Sequence, residues 1–326
     1  MKRSGVFLVL LLMVSGFSPG LPVTFAQPYP NRPIQLIIPN VPGAIVDINA
    51  RALAEELGKI LGAQIVPLNK PGAGTMLGMD IVAKSKRDGY TLSYTGNSGI
   101  VYARILNPET LPYDPEKDLE PLGLHVIVPM AIAVQASSPW KSFQDVVDYA
   151  KKNPGKIRVN TIGVGSTNHF YLEVVQSLTG TQFTHIPFKG GESVVTALLG
   201  GHVEMTCDAA NKFTAHVESG KLRVLLLSNR MAEFPGAPTM SDLGFKEQLP
   251  SVWFAMYGPS GLPEEVKKVL VPAIEKAVKQ PDLKARIEKL QFVVQYRSPA
   301  EMKKDIAEEY DRGLAIAKRV GLLKKN

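Results

Sequence analysis

Short apolar runs alternate with stretches of helical period along most of the chain. Ile34, Leu36, Ile37 and Ile38 form a run that predicts a buried strand. Over residues 48–61, Ile48, Leu53, Leu57, Ile60 and Leu61 recur near helical spacing, and Gly62 supplies a stop. Further strands are expected at 64–68, 90–95, 157–160, 183–186, 203–207 and 224–227, and helices at 76–83, 142–152, 168–178 and 192–199. Residues 122–135 are strongly apolar and are expected to hold strands that cross between domains, with 224–227 as the return crossing. The last third is expected to be mostly helical. Pro263 suits a first helical position, with Glu264 and Glu265 favourable beside the dipole, and Pro272 is expected to kink that helix. Ser298-Pro299-Ala300-Glu301 is a capping box that opens a helix towards Ala317. This alternation predicts an α/β fold with one domain interrupted by another: 27–123 plus 228–326 forming one lobe, 124–227 the other. Two crossings make a hinge, and hinged lobes close around ligands.

The first residues change the picture. Lys2 and Arg3 precede an apolar stretch, 6–14, too short to span a bilayer; Gly16, Pro19, Gly20 and Pro22 then break it. Residues 1–26 are therefore read as a signal peptide cleaved after Ala26, which places the protein in the periplasm or another extracytoplasmic space. About 300 residues remain, enough for two sizeable cores. Cys207 is the only cysteine, so no intramolecular disulfide is possible and the residue reads as a small buried one. The formal charge of +7 falls by two when Lys2 and Arg3 leave. The basic residues are dispersed and not interleaved with aromatics, which argues against nucleic acid, while a mild positive field favours small anions.

Candidate chemistry concentrates in two turns. Pro39 to Asp47 reads Pro-Asn-Val-Pro-Gly-Ala-Ile-Val-Asp between a strand and a helix, and the same device recurs from Gly163 to His169. Such a turn gathers unpaired N–H groups at the positive end of a helix, an arrangement that attracts a carboxylate or phosphate without a cationic side chain. Gly72-Ala73-Gly74 with Gly78 departs from a dinucleotide fingerprint, because Leu77 fills the third glycine position. No phosphate loop is present, and His125, His169, His185, His202 and His216 lack metal-ligand spacing, so neither cofactor nor metal is expected. Ser166, with His169 or His185 and Asp208, suggests a hydrolase triad, but Val-Gly-Ser-Thr-Asn is not a nucleophile elbow. Ser166 and Thr167 suit capping, ligand contact or both. His169 suits packing or a local hydrogen bond as well as ligand contact. Asp208 suits a ligand hydroxyl, amine or water, or another helix cap. Lys189, Gly190 and Gly191 form a possible third anion-facing turn, and Trp253 and Tyr257 suit core or hinge packing.

Several segments, taken in order, carry a resemblance. They include Tyr29-Pro30-Asn31-Arg32-Pro33-Ile34, Asn69-Lys70-Pro71-Gly72-Ala73-Gly74, Asp88-Gly89-Tyr90-Thr91-Leu92 and Leu111-Pro112-Tyr113-Asp114-Pro115. His185-Ile186-Pro187-Phe188-Lys189-Gly190, Leu199-Gly200-Gly201-His202-Val203 and Gly258-Pro259-Ser260-Gly261-Leu262-Pro263 follow. The chain resembles the periplasmic solute receptors of tripartite tricarboxylate transporters, the Bug-type receptors. The resemblance implies a type II, Venus-flytrap periplasmic-binding fold with hinge-linked lobes, and no catalysis. It implies a small organic carboxylate held by backbone N–H groups and hydroxyls, a membrane permease as partner, and a monomer. Carried onto this chain, the contacts are Asn40, Val41, Gly43, Ala44 and Ile45 in the first loop and Gly165, Ser166, Thr167 and His169 in the second. Thr95, Asn97 and Ser98 line one lobe; Gly190, Gly191 and Asp208 line the other. The first loop departs from the family pattern. Asn40 stands where an aromatic is common. Ala44 adds a methyl that opposes a positive φ, and Ile45 replaces a small or hydroxyl residue. These changes favour a monocarboxylate with an apolar or aromatic body over the common dicarboxylates. A ligand-presenting accessory of a membrane sensor and an exported serine hydrolase are the alternatives.

Overall fold

The computed structural model describes residues 29–188, 192–319 and 321–323; the proposed signal peptide and Lys189, Gly190 and Gly191 lie outside them. The strands are β1 (Ile34–Ile38), β2 (Ile65–Asn69), β3 (Thr91–Gly96), β4 (Leu119–Val128), β5 (Met130–Gln135) and β6 (Arg158–Thr161). They continue with β7 (Thr184–Pro187), β8 (Met205–Ala209), β9 (Leu222–Leu227), β10 (Val252–Pro259) and β11 (Val293–Arg297). The helices are α1 (Ile45–Leu61), α2 (Met76–Ala83), α3 (Ala103–Leu106), α4 (Phe143–Lys152) and α5 (Thr167–Thr179). After these come α6 (Glu192–Leu199), α7 (Thr214–Glu218), α8 (Glu264–Val278), α9 (Pro281–Glu288) and α10 (Pro299–Arg319).

Two sheets form, a six-stranded one in the order β11-β4-β10-β3-β1-β2 and a five-stranded one in the order β7-β6-β8-β5-β9. Each contains a parallel trio with the strand earliest in the chain in the middle: β2-β1-β3 and β7-β6-β8. The third strand of each trio pairs antiparallel on its far side, β3 with β10 and β8 with β5. In each lobe the chain leaves the middle strand, builds one neighbour, then returns to build the other. The strand order therefore reverses between β1 and β3, and again between β6 and β8. Crevices at the carboxyl ends of strands flanking such reversals are where open α/β sheets bind ligands.

Burial explains the layers. In β1, Ile34, Leu36 and Ile38 pack in one core with Ala50, Leu53 and Leu57 of α1. Ile37 points the other way, into a core with Met79 and Val82 of α2 and Tyr257 of β10. Burial on both faces gives β1 its nearly continuous apolar run, which only the exposed Gln35 interrupts.

Four expectations need correction. Helix α1 begins at Ile45, three residues earlier than the apolar stripe indicated, because its first turn is set by backbone and by Asp47 rather than by an apolar face. The first crossing falls at Pro129: β4 lies wholly in the six-stranded sheet, β5 in the other, and the expected boundary at 124 cuts β4. Pro129 lacks the N–H needed to continue a ladder. The return is not made by 224–227, since β9 belongs to the five-stranded sheet; the chain re-enters the larger sheet through β10. The last third contributes β10 and β11 as well as helices. Strand β10 is buried over Phe254–Pro259 on both faces and so shows no alternation.

Candidate functional site

The first loop joins β1 to α1. Gly43 takes φ 82°, whereas Ala44 sits at φ −64°, ψ 156°, extended backbone open to any residue. The Ala44 methyl therefore carries no conformational penalty, contrary to the sequence expectation. The Gly43 N–H donates to Asp47 Oδ2 at 2.9 Å. Asp47 is buried, and its Oδ1 accepts from Arg51 Nε at 3.0 Å and Asn69 Nδ2 at 2.9 Å. Asn69 Nδ2 also donates to Asn40 O at 3.0 Å, and an Arg51 terminal nitrogen donates to Asn69 Oδ1 at 2.7 Å. Burial alone would push the Asp47 carboxyl up; Arg51, the Gly43 amide and Asn69 outweigh it and hold the group below the usual carboxylate range. Among the described residues the first-turn amides of Ile45, Val46 and Asp47 find no acceptor. Val41 stands 54% exposed at the loop tip.

The second loop joins β6 to α5 on the same plan. Gly163 and Gly165 take φ 140° and 76°. Ser166 is the N-cap: its Oγ accepts from His169 N at 3.2 Å and donates to Gly163 O at 2.7 Å. That hydroxyl proton points to a carbonyl and not to an imidazole, which removes the basis for a nucleophilic triad. The Gly165 N–H donates to His169 Nδ1 at 3.1 Å, so the neutral ring carries its proton on Nε2. The His169 ring stacks on His185, with centroids 4.1 Å apart, and His185 Nε2 meets Thr161 Oγ1 at 2.7 Å. Burial, then the neighbouring His169, lower the His185 pKa to about 4. Among the described residues the amides of Thr167 and Asn168 have no acceptor. Val164 is 65% and Ile162 36% exposed.

Thr95, at the end of β3, and Asn97 are buried beside the first crevice, while Ser98 is exposed. Ser98–Tyr102 is a π-helical turn, closed by the Ala103 N–H on Ser98 O; such wide turns gather at functional sites. Asn97 Nδ2 spends its hydrogens on Ser251 O at 2.8 Å and Glu309 Oε1 at 2.9 Å. Its Oδ1 accepts from Thr167 Oγ1 at 3.4 Å, across from the other lobe. Asn97 thus joins the lobes, and both hydrogens of its side-chain amide are spent. Asp208, at the end of β8, accepts from Asn168 Nδ2 at 3.1 Å, Ala209 N at 2.8 Å and Lys212 Nζ at 2.7 Å. It braces the first turn of α5 from behind, its oxygens already partnered.

The structure thus places the first loop and the β3 end at one strand-order reversal, and the second loop and Asp208 at the other. Sequence reasoning missed Arg51, Asn69, Asn168 and Glu309. The i,i+4 spacing of Asp47 and Arg51 was a readable signal; no sequence signal ties Glu309 to Asn97, 212 residues away. A cavity of about 650 Å3 lies elsewhere, between α5, α10 and β10, with Phe170, Val174, Trp253, Met302 and Glu309 in its wall. None of the expected ligand contacts lines it. Among the described residues no cluster of His, Cys, Asp or Glu suits a metal ion.

The sequence matches the family described as "Tripartite tricarboxylate transporter family receptor" over residues 49–322. It is 32% identical over 328 residues to Protein BugT of Bordetella pertussis, covering 98% of this chain and 99% of that protein. A TctC solute-binding protein from Polaromonas superposes with TM-score 0.80 at 28% identity, covering 89% of this chain and 99% of that one. An R. palustris protein solved with adipate superposes with TM-score 0.75 at 26% identity, covering 90% of this chain and 98% of that one.

Proposed function

The chain belongs to the tripartite tricarboxylate transporter receptor family, a family of periplasmic solute receptors, and from that membership we propose that it captures one small organic carboxylate between its lobes and delivers it to a membrane permease. Residues 1–26 would direct its export. The observation that carries the reading is the pair of helix starts whose amides have no acceptor among the described residues: Ile45, Val46 and Asp47 on one side, Thr167 and Asn168 on the other, each at a strand-order reversal. Amides fixed before the ligand arrives cost no reorganisation, and closing the lobes strengthens their bonds by excluding water. Adipate in the R. palustris relative fits this chemistry. Val41, Ile162 and Val164, exposed on the two loops, together with Ile45, support a ligand with a single carboxylate on an apolar body.

A substitution can delete one amide. Thr167 is the first helical residue, and Ser166 already has the extended backbone that proline requires before it. Thr167→Pro removes the N–H and the hydroxyl; Thr167→Ala removes the hydroxyl alone. Calorimetric titration with benzoate and adipate should show Thr167→Pro binding roughly 10- to 100-fold more weakly than Thr167→Ala, the worth of a hydrogen bond to a charged group. Equal affinities would refute amide capture at this helix. Tighter binding of adipate than benzoate by the parent protein would refute the apolar single-carboxylate preference.

A further inference from the structure

Glu309, in the middle of α10, has a carboxylate surrounded by donors from separate segments. Oε1 accepts from Asn97 Nδ2 at 2.9 Å and from the Tyr102 hydroxyl at 2.8 Å; Oε2 accepts from Trp253 Nε1 at 2.7 Å. Two of these donors reach the other lobe. Asn97 Oδ1 takes the Thr167 hydroxyl, and the Tyr102 ring stacks on Phe170 of α5 with centroids 4.4 Å apart and planes 18° apart. The Asn97 amide cannot turn over. Ser251 O and Glu309 both demand its NH2 group, which leaves Oδ1 as the atom facing Thr167. Helix α10 is itself pressed close here: a Cβ on Gly313 would lie 2.7 Å from Ile105 Cδ1 and 3.6 Å from the Tyr102 ring. Behind the joint the lobes part around the 650 Å3 cavity, whose wall includes Tyr102, Phe170, Trp253 and Glu309. A bond from Arg319 to Ser177, at the surface, links α10 to α5 farther along.

We infer that Glu309 is a positioning residue for ligand capture: it fixes Asn97 and Tyr102, two side chains by which the first lobe holds the first turn of α5. The inference rests on the capture reading, because that turn carries the Thr167 and Asn168 amides. Glu309 acts through these two side chains. Its role needs an acceptor at both oxygens, and glutamine cannot supply that, since its NH2 group must face the Trp253 indole N–H or the Asn97 and Tyr102 donors.

The test needs no ligand. Spin labels are placed on Lys70→Cys and Lys152→Cys, exposed positions in opposite lobes; Cys207 is buried and stays unlabelled. Interlobe distances are measured by pulsed electron resonance in the parent, Glu309→Gln and Thr167→Val. The expected result is a distribution moved to longer distances and broadened in Glu309→Gln, with a smaller move in Thr167→Val, while far-UV circular dichroism stays native. Should Glu309→Gln fail to fold, Thr167→Val decides alone, because it removes only the hydroxyl across the joint. Distributions that coincide with the parent in every folded variant would overturn the inference. Adipate and benzoate titrations of the parent report separately on the capture reading, so a failure there is distinguishable from an intact or broken joint.

Discussion

The loops that open α1 and α5 meet one geometric demand with different side chains. In each, the glycine two residues before the helix gives its N–H to the side chain four residues on: Gly43 to Asp47, Gly165 to His169. In the first lobe the acceptor is a buried carboxylate wired through Arg51 and Asn69 to the end of β2. In the second it is a neutral imidazole stacked on another, with Ser166 capping the helix. The first lobe has no such cap; Ala44 makes no side-chain bond. One loop is anchored by charge to its own sheet, the other by titratable rings and a hydroxyl. The difference teaches that equal backbone shapes can respond to the medium in different ways.

Acid should expose that difference most strongly. His125, buried on β4 against Tyr94, has its pKa pushed down to about 3 by burial, and His185, half-buried beneath His169, is held at about 4. Below pH 6.5 the unfolded chain takes protons that these folded rings refuse, so stability falls with pH from 6.5 towards 4. The slope is up to roughly 1.4 kcal/mol per pH unit for each histidine still neutral, less for His185 because solvent reaches it. Asp47 behaves oppositely. Its lowered pKa gives stability that is present above about 3.8 and is lost only below it. Urea midpoints at pH 7, 5.5 and 4.5 should therefore decline before Asp47 titrates, and His185→Gln should flatten part of the decline. A flat profile down to pH 4.5 would contradict the pKa directions of both histidines.

Asp47→Ala comes next in size. It strands the Gly43 amide, an Asn69 hydrogen and Arg51 at once, and a loss of about 3 kcal/mol is expected from breaking a mostly buried network. His169→Ala leaves only the Gly165 amide and a packing gap and should cost less. Equal losses in chemical denaturation would erase the contrast between a charged and a neutral clamp. Ser166→Ala removes the cap of α5 and should cost about 1 kcal/mol. The smallest effect is the converse change. Ala44→Ser gives α1 the cap it lacks and should raise stability by roughly 0.5–1 kcal/mol. Its hydroxyl would take the amide of Asp47 or its neighbour, so carboxylate affinity should drop as stability rises. A gain in both would place the ligand away from α1.

Much of this was legible in the chain. The run from Ile34 to Ile38, the stop at Gly62, the capping residues Ser142 and Ser298 and the two glycine turns all follow from local rules. Local rules failed where the cause was remote. Strand β10 carries no alternation because both faces are covered, so no period-two signal marked it before α8. The crossing at Pro129 was hidden because β4 and β5 make one continuous apolar stretch. Within the site, the turn positions were readable but the allocation of their hydrogen bonds was not. Gly43, Gly165, Asn97 and Asp208 spend their polar groups on partners that only folding brings near.

The wide turn at Ser98–Tyr102 has a consequence for chain length. In an ordinary helix, side chains five apart point roughly 140° away from each other. Closing the ring one residue later swings Asn97 and Tyr102 towards a common side, where a single oxygen of Glu309 receives both. Deleting one residue from this corner would yield a tidier spiral and divorce that couple, although every chemical group involved would still be present. What the corner protects is a count, and a one-residue shortening should unfasten the two halves more thoroughly than the loss of either side chain.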